Sequence, residues 1–229
     1  MSFAATVAPM TIGGNEFDAL IAVYGLGGLV WGLVSDRIAA RWPAHEDGTV
    51  RAVDWRTLVV AIFGAAALAA VPARFDDLAE RILFGGFFAV CVLLMATDLD
   101  QRLMPDELTL PLIALGALAL VWGGNSLVSR SPAWMAVVGA IAIPGLMLAA
   151  SLPFGEGAFG GGDVKFLVGA GLLVGLVRIA LSVFSGVILA GVAIVLLLIA
   201  RRVTLKSHIP FGPFLIAGVV WVALLPAAS

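Results

Sequence analysis

Eight apolar stretches joined by short polar connections constrain this chain more than any other feature. They run roughly over Phe17–Ser35, Leu58–Pro72, Ala79–Thr97, Leu108–Gly123, Ala133–Pro153, Val164–Val177, Ile179–Ala200 and Phe211–Ala227. A membrane-crossing helix needs about 20 mostly apolar residues. The second, fourth and sixth stretches are short at these strict limits, so they extend into flanking residues, tilt, or stop before crossing. Composition points the same way. Of 229 residues, 62% are hydrophobic and 12% charged, against roughly 45–50% and about 25% in soluble domains. A soluble protein of this size cannot hide that excess, because too much of its surface stays in water. A soluble enzyme, a disordered tail and a secreted disulfide scaffold are all excluded. The expected fold is all-α, a polytopic integral membrane helical bundle of about eight segments.

Charge and cysteine content narrow the functional classes. A single cysteine, Cys91, rules out a disulfide framework and a thiolate-cluster metal site. The net charge of −2 gives no electrostatic footprint for nucleic acid. The first basic residue is Arg37, so the charged n-region of a cleaved signal peptide is missing. No period of 20–50 residues repeats, which argues against a solenoid. Nine of the thirteen basic residues (Arg37, Arg41, Arg51, Arg56, Arg102, Lys165, Arg201, Arg202 and Lys206) fall in alternate connections, and four (Arg74, Arg81, Arg130 and Arg178) fall in the others. The positive-inside bias makes the first set cytoplasmic and places both termini outside. Two regions are expected, an N-terminal helix with a short cytoplasmic loop over 1–57 and a membrane-embedded domain over 58–229.

Two polar sites stand out, both on the side assigned to the cytoplasm. The first spans Ala96 to Thr109, where the third helix ends and the fourth begins, and carries Asp98, Asp100, Asp106 and Glu107. The second spans Phe154 to Phe166 and holds Glu156, then Gly160-Gly161-Gly162-Asp163 and Lys165 at the start of an apolar helix. Acidic groups at membrane depth are costly and mark functional sites by default. Plainer readings stand beside this one. Asp98 fits a helix-end carboxylate reaching the headgroups, and Asp163 fits an N-cap. Consecutive glycines argue for more than a cap, since they let another chain approach closely.

A pair of aspartates on one membrane side has a defined chemistry. Two close carboxylates share one proton across their titrations. The ionised member takes a proton from water while the protonated member hydrogen-bonds a peptide carbonyl, as in aspartic proteases. His45 and His208, the only histidines, read as solvated or structural loop residues, so no serine–histidine–acid set competes. Gly25, Gly27, Gly28 and Gly32 read as helix-packing positions. Phe87, Phe88 and Met95 read as lipid-facing or core groups, and Cys91 as a packing residue.

At these residues the chain resembles the type IV prepilin peptidases, the Gly-x-Gly-Asp intramembrane aspartic proteases. Asp98 with Met104-Pro105-Asp106 and Leu108-Thr109-Leu110-Pro111 is similar to their first catalytic motif. Gly160-Gly161-Gly162-Asp163-Val164-Lys165 resembles the second, and Ile209-Pro210-Phe211-Gly212-Pro213-Phe214 resembles a stretch before their last helix. The resemblance covers roughly residues 50–225. It implies a catalytic pair of Asp98 and Asp163 that cuts the basic leader from type IV prepilin or pseudopilin precursors at the cytoplasmic face of the inner membrane. Neither metal nor organic cofactor is implied.

Around that pair, Gly160, Gly162, Lys165, Asp100, Asp106 and Glu156 are the expected supporting or substrate-binding residues. Asp100, Asp106 and Glu107 read as a solvated acidic rim attracting a basic leader, and Asp106 also as a cap for the next helix. Lys165 reads as a substrate or Asp163 contact, or as an ordinary snorkelling lysine. Longer family members carry a cysteine-bearing cytoplasmic domain and also methylate the new N-terminus. Here the connection from Asp36 to Arg56 is short and cysteine-free and reads as a hydrated turn, so cleavage without methyl transfer is expected. The runner-up is a proton-coupled transporter using the same carboxylates. Its acids would be expected at the membrane midplane.

Overall fold

A computed structural model describes residues 14–45, 48–154, 160–202, 204 and 209–226, with the side chains of 14–16 and 154 left aside. Among the described residues there is no strand. Eight helices follow in order: α1 (Gly14–Ala39), α2 (Trp55–Arg74), α3 (Leu78–Gln101), α4 (Asp106–Trp122), α5 (Ala133–Ser151), α6 (Gly161–Val174), α7 (Leu176–Ile199) and α8 (Gly212–Leu224), with one 3₁₀ turn at Leu152–Phe154 after α5. Helices are what an apolar medium permits, since each satisfies its backbone groups internally. Five are long and apolar enough to cross a membrane: Phe17–Ala39 within α1, α2, α3, α5 and α7. The expected shortness of the second segment disappears because α2 begins at Trp55 and runs 20 residues. The fourth and sixth remain short, at 17 and 14 residues.

Local sequence sets the boundaries. Asp54 caps α2 by accepting from Arg56 N at 2.8 Å. Asp77 caps α3 by accepting from Ala79 N and Glu80 N at 2.8 and 3.1 Å, satisfying amides that have no partner within the helix. A single residue, Gly175, separates α6 from α7, and its φ of 82° is one that a side chain would strain.

The helices pair through glycine. α1 packs along α2, α4 along α6, α7 along α8, and α5 against both α6 and α7. A methyl group on Gly28 would stand 2.1 Å from the carbonyl oxygen of Gly64. One on Gly169 would stand 2.9 Å from the Leu112 carbonyl carbon, and one on Gly218 would stand 2.4 Å from the Ser182 carbonyl oxygen. Gly25, Gly28 and Gly32 are therefore packing positions as expected. Gly27 is not, having nothing within 4 Å of such a methyl.

Helix α3 runs through the middle, against α1, α2 and α8. Phe84, Phe87, Phe88, Cys91 and Leu94 are fully buried, and Met95 nearly so. Phe84 stacks on Phe75 with ring centroids 4.1 Å apart. These side chains are core, not lipid-facing. Leu181, Phe184, Ile188, Leu196 and Ile199 on α7 are exposed, as suits a surface turned to lipid.

The close contacts make a paired prediction. Gly28→Ala drives a methyl into the α2 backbone and should cost about 1–3 kcal/mol, whereas Gly85→Ala, with nothing within 4 Å, should be neutral. Thermal unfolding of both variants in detergent checks this. Equal melting of the two would refute the α1–α2 packing.

Candidate active site

Four chain segments meet at one end of the bundle: the last turn of α3, the turn into α4, and the first turns of α6 and α8. Helix α3 ends where Arg102 takes the left-handed conformation, φ 56° and ψ 40°, and donates its N–H to Asp98 O. The chain then turns through Met104 and Pro105 into α4. Met104 is buried at the centre of the meeting. A methyl on Gly162 would stand 2.7 Å from Met104 Cβ, and one on Gly212 would stand 2.6 Å from Met104 Cε and 2.6 Å from Asp98 Oδ2. Glycine is what lets α6 and α8 close on the acid-bearing end of α3.

Asp98 is buried, 6% exposed. The backbone N–H of Gly212 faces its carboxylate, and the Asp163 carboxylate is near enough to act on it as a like charge. Asp163 is half-buried. It is the third residue of α6, not its N-cap, and its Oδ2 accepts from Gly160 N at 3.3 Å. Among the described residues, Asp98 Oδ2 and Asp163 Oδ1 have no hydrogen-bond partner. Buried carboxylate oxygens are normally paired. Two unpaired ones brought near each other from separate helices form a site that can hold a proton and polarise a bound group.

The neighbouring acids behave differently. Asp100 is not on a solvated rim. Its side chain is 1% exposed and lies 2.5 Å from Arg51 Nε, 3.0 Å from Arg56 Nη1 and 3.0 Å from His45 Nε2. The reason is the connection between α1 and α2, which folds onto the end of α3 instead of forming a hydrated turn. Asp36, fully buried, pairs with Arg37 and Arg51 and accepts from Thr57 Oγ1 at 2.7 Å. Arg51 also reaches Asp54 at 2.7 Å, and Gln101 Nε2 donates to Pro43 O at 2.7 Å. Burial works against the Arg51 charge, but the Asp36, Asp100 and Asp54 carboxylates more than offset it and raise its pKa. His45 is accordingly structural.

Asp106 does not cap α4 either. Pro105 occupies that position without a side-chain bond, and the Asp106 carboxylate takes Lys165 Nζ at 2.6 and 2.7 Å on the exposed surface. Lys165 is thus engaged by Asp106. Gly160 contributes its N–H to Asp163, and Gly162 accommodates Met104. Glu156 and His208 lie outside the described residues. Among the described residues no three His, Cys, Asp or Glu side chains converge as a metal site would require.

Residues 86–196 match the type IV leader peptidase family. Both aspartates fall inside the match. Among relatives, the prepilin leader peptidase/N-methyltransferase of Aeromonas salmonicida (strain A449) is 35% identical over 144 residues, covering 59% of this chain and 46% of that protein. The protein of the same name from Aeromonas hydrophila is 36% identical over 138 residues, covering 59% and 46%. The one from Stutzerimonas stutzeri is 34% identical over 129 residues, covering 56% and 44%. The chain spans about half the length of the curated relatives it matches. No solved structure matches.

Sequence reasoning singled out both aspartates individually; Gly212 and Met104 entered only as members of motifs, and Arg51 not as part of the site at all. Gly212 carried a signal, since it sits in the third motif. Arg51 carried none, because two of its partners, Asp36 and Asp100, lie at distant positions in the sequence.

The two kinds of acid should separate on mutation. Asp100→Asn takes the buried counter-charge from Arg51 and Arg56 and should cost about 3 kcal/mol. Asp106→Asn removes an exposed pair and should cost about 1 kcal/mol or less. Denaturant unfolding in detergent measures both. Equal small losses would show that Asp100 is solvated after all.

Proposed function

We propose that this protein is a membrane aspartic endopeptidase that removes the basic leader from type IV prepilin or pseudopilin precursors at the cytoplasmic face of the inner membrane. Asp98 and Asp163 are its catalytic pair. The observation that carries the reading is the nearness of these two carboxylates, each with an oxygen unpaired among the described residues, within the segment that matches the type IV leader peptidase family. One carboxylate, ionised, takes a proton from a water molecule whose oxygen adds to the scissile carbonyl carbon. The other, protonated, hydrogen-bonds the carbonyl oxygen as it gains negative charge. When the tetrahedral intermediate collapses, the C–N bond breaks and the leaving amine receives a proton from the pair. Holding water, peptide and both acids in one place supplies the orientation on which such chemistry depends.

The peptidase region is 58–229, and 1–57 is a reduced counterpart of the methylation region. Relatives are named for both activities, and we propose cleavage alone here. Asp100 and Asp106 are engaged within the chain, so Glu107 is the carboxylate of the expected rim that, among the described residues, stays exposed and unpaired. A proton-coupled transporter has no observation in its favour, because the acids gather at one end of the bundle.

Asp98→Asn and Asp163→Asn should each lower cleavage of a co-expressed type IV prepilin by about 10²–10⁴-fold or more while leaving the protein in the membrane. Gly212→Ala, which crowds Asp98 Oδ2, should also be impaired. Mass spectrometry of the prepilin N-terminus reads all three. Repeating the reaction with purified enzyme and S-adenosylmethionine should add no methyl mass. Near wild-type cutting by either asparagine variant would overturn the assignment.

The membrane face has its own check. Single cysteines at Leu103 and Gly161 should label from the cytoplasm and cysteines at Asp76 and Ser129 from outside, following the basic-residue asymmetry. The reverse pattern would invert the proposed topology.

A further inference from the structure

Three arginines and three aspartates meet where the α1–α2 connection covers the end of α3. Arg51 sits at their centre. Its guanidinium bridges Asp36 at the end of α1, Asp54 at the cap of α2 and Asp100 in the last turn of α3. Its side chain is 12% exposed, and those of Asp36 and Asp100 are 1% exposed. Arg37 adds a second cation to Asp36, and Arg56 a second to Asp100. The charges balance, three against three. Arg37, Arg51, Arg56, Asp36 and Asp54 all precede residue 86, where the family match begins.

Asp100 is two residues beyond Asp98. Helix α3 ends one residue after Asp100, and the turn that follows has left-handed backbone at Arg102. A helix terminus is where backbone hydrogen bonds fray first, yet this one must present Asp98 to Asp163. We infer that Arg51 is a positioning residue for the proposed peptidase: by gripping Asp100 against Asp36 and Asp54 it fixes the last turn of α3, and with it the Asp98 carboxylate, relative to Asp163. The inference rests on the proposed role of Asp98. A planar fork suits the task, since it reaches several carboxylates at once in fixed directions, which an ammonium does not. The α1–α2 connection is then part of the active-site framework.

The test uses the full-length enzyme in detergent with a synthetic precursor peptide: a short basic leader, a glycine junction and an apolar segment. Arg51→Gln should lower kcat about ten-fold or more, leave KM within about two-fold, and shift the pH–rate profile, because the mutual geometry of the two carboxylates sets that profile. Arg51→Gln leaves Asp100 and Asp36 short of a cation, so instability is a competing cause. The double variant Arg51→Gln/Asp100→Asn restores charge balance and separates the two. A purely structural role predicts that melting temperature, kcat and pH profile all return together. Positioning predicts that melting recovers while kcat stays low and the profile stays shifted. Should Arg51→Gln fail to fold, the double variant alone decides. Wild-type kcat and pH profile in the double variant would overturn the inference. Asp98→Asn runs alongside. Loss of cleavage in Asp98→Asn with full activity in the Arg51 variants would sink positioning alone, whereas full activity in Asp98→Asn would sink the peptidase reading beneath it.

Discussion

Close backbone contact between helices is the interaction on which this structure depends. In lipid, apolar side chains gain little by leaving one apolar surface for another, so helix association relies on tight packing and a few polar bonds. The chain supplies that packing with glycine at each principal interface: Gly28, Gly32 and Gly64 between α1 and α2, Gly116 and Gly169 between α4 and α6, Gly139 and Gly171 where α5 meets α7 and α6, and Gly186 and Gly218 between α7 and α8. At each of these a single added methyl would meet a neighbouring helix at 3.1 Å or less. The same device operates at the site, where Gly162 and Gly212 admit Met104 and the Asp98 carboxylate. Fold and site are thus set by one physical rule.

Charge is handled in two contrasting ways within a few residues. Asp36 and Asp100 are buried and each is contacted by two arginines. Such pairing need not add stability over an apolar core, but removing one partner from it is costly. It therefore acts as a lock on geometry. Asp98 and Asp163 lie beside this cluster, each with a buried oxygen that, among the described residues, neither a hydrogen bond nor an ion pair satisfies. An unsatisfied buried oxygen is expensive, and a protein that can assemble four charged contacts around Asp36 and Asp100 has left these two open. That contrast separates structural acids from candidate reactive ones without reference to any motif.

Much of this was legible in the sequence. All eight helices coincide with apolar runs, although three runs are short at their strict limits, and the break between α6 and α7 falls at Gly175 and not at Arg178, where the apolar runs divide. The two aspartates were legible because a carboxylate beside an apolar span, and another after three glycines, have few inexpensive explanations. Asp100 was misread as rim, and the loop before Arg56 as hydrated, for one shared reason. The sequence around them is polar and turn-like, which describes the composition of a solvated loop and of a charge-balanced cluster equally well. Only the fold brings Arg51 to Asp100 and Asp36. Met104 was legible only as a member of the first motif, because an apolar side chain in a connection looks the same whether it fills a site or merely ends a helix. Lys165 shows the opposite case: its charge was legible, its partner Asp106 was not.

The site is assembled from more of the chain than the family match covers. Residues 86–196 hold both aspartates, Met104, Gly160 and Gly162. Gly212, whose N–H faces Asp98, lies after that segment, and the cations on Asp100 lie before it. A fragment limited to the matched residues would keep both carboxylates but lose the contacts that fix one of them. In a water-filled cleft that loss could be made good by solvent. At the end of an apolar bundle, where unpaired polar groups are costly, the chain itself must supply the fixing contacts. Helices α1, α2 and α8 are therefore as much a part of the site as the two helices that carry its acids.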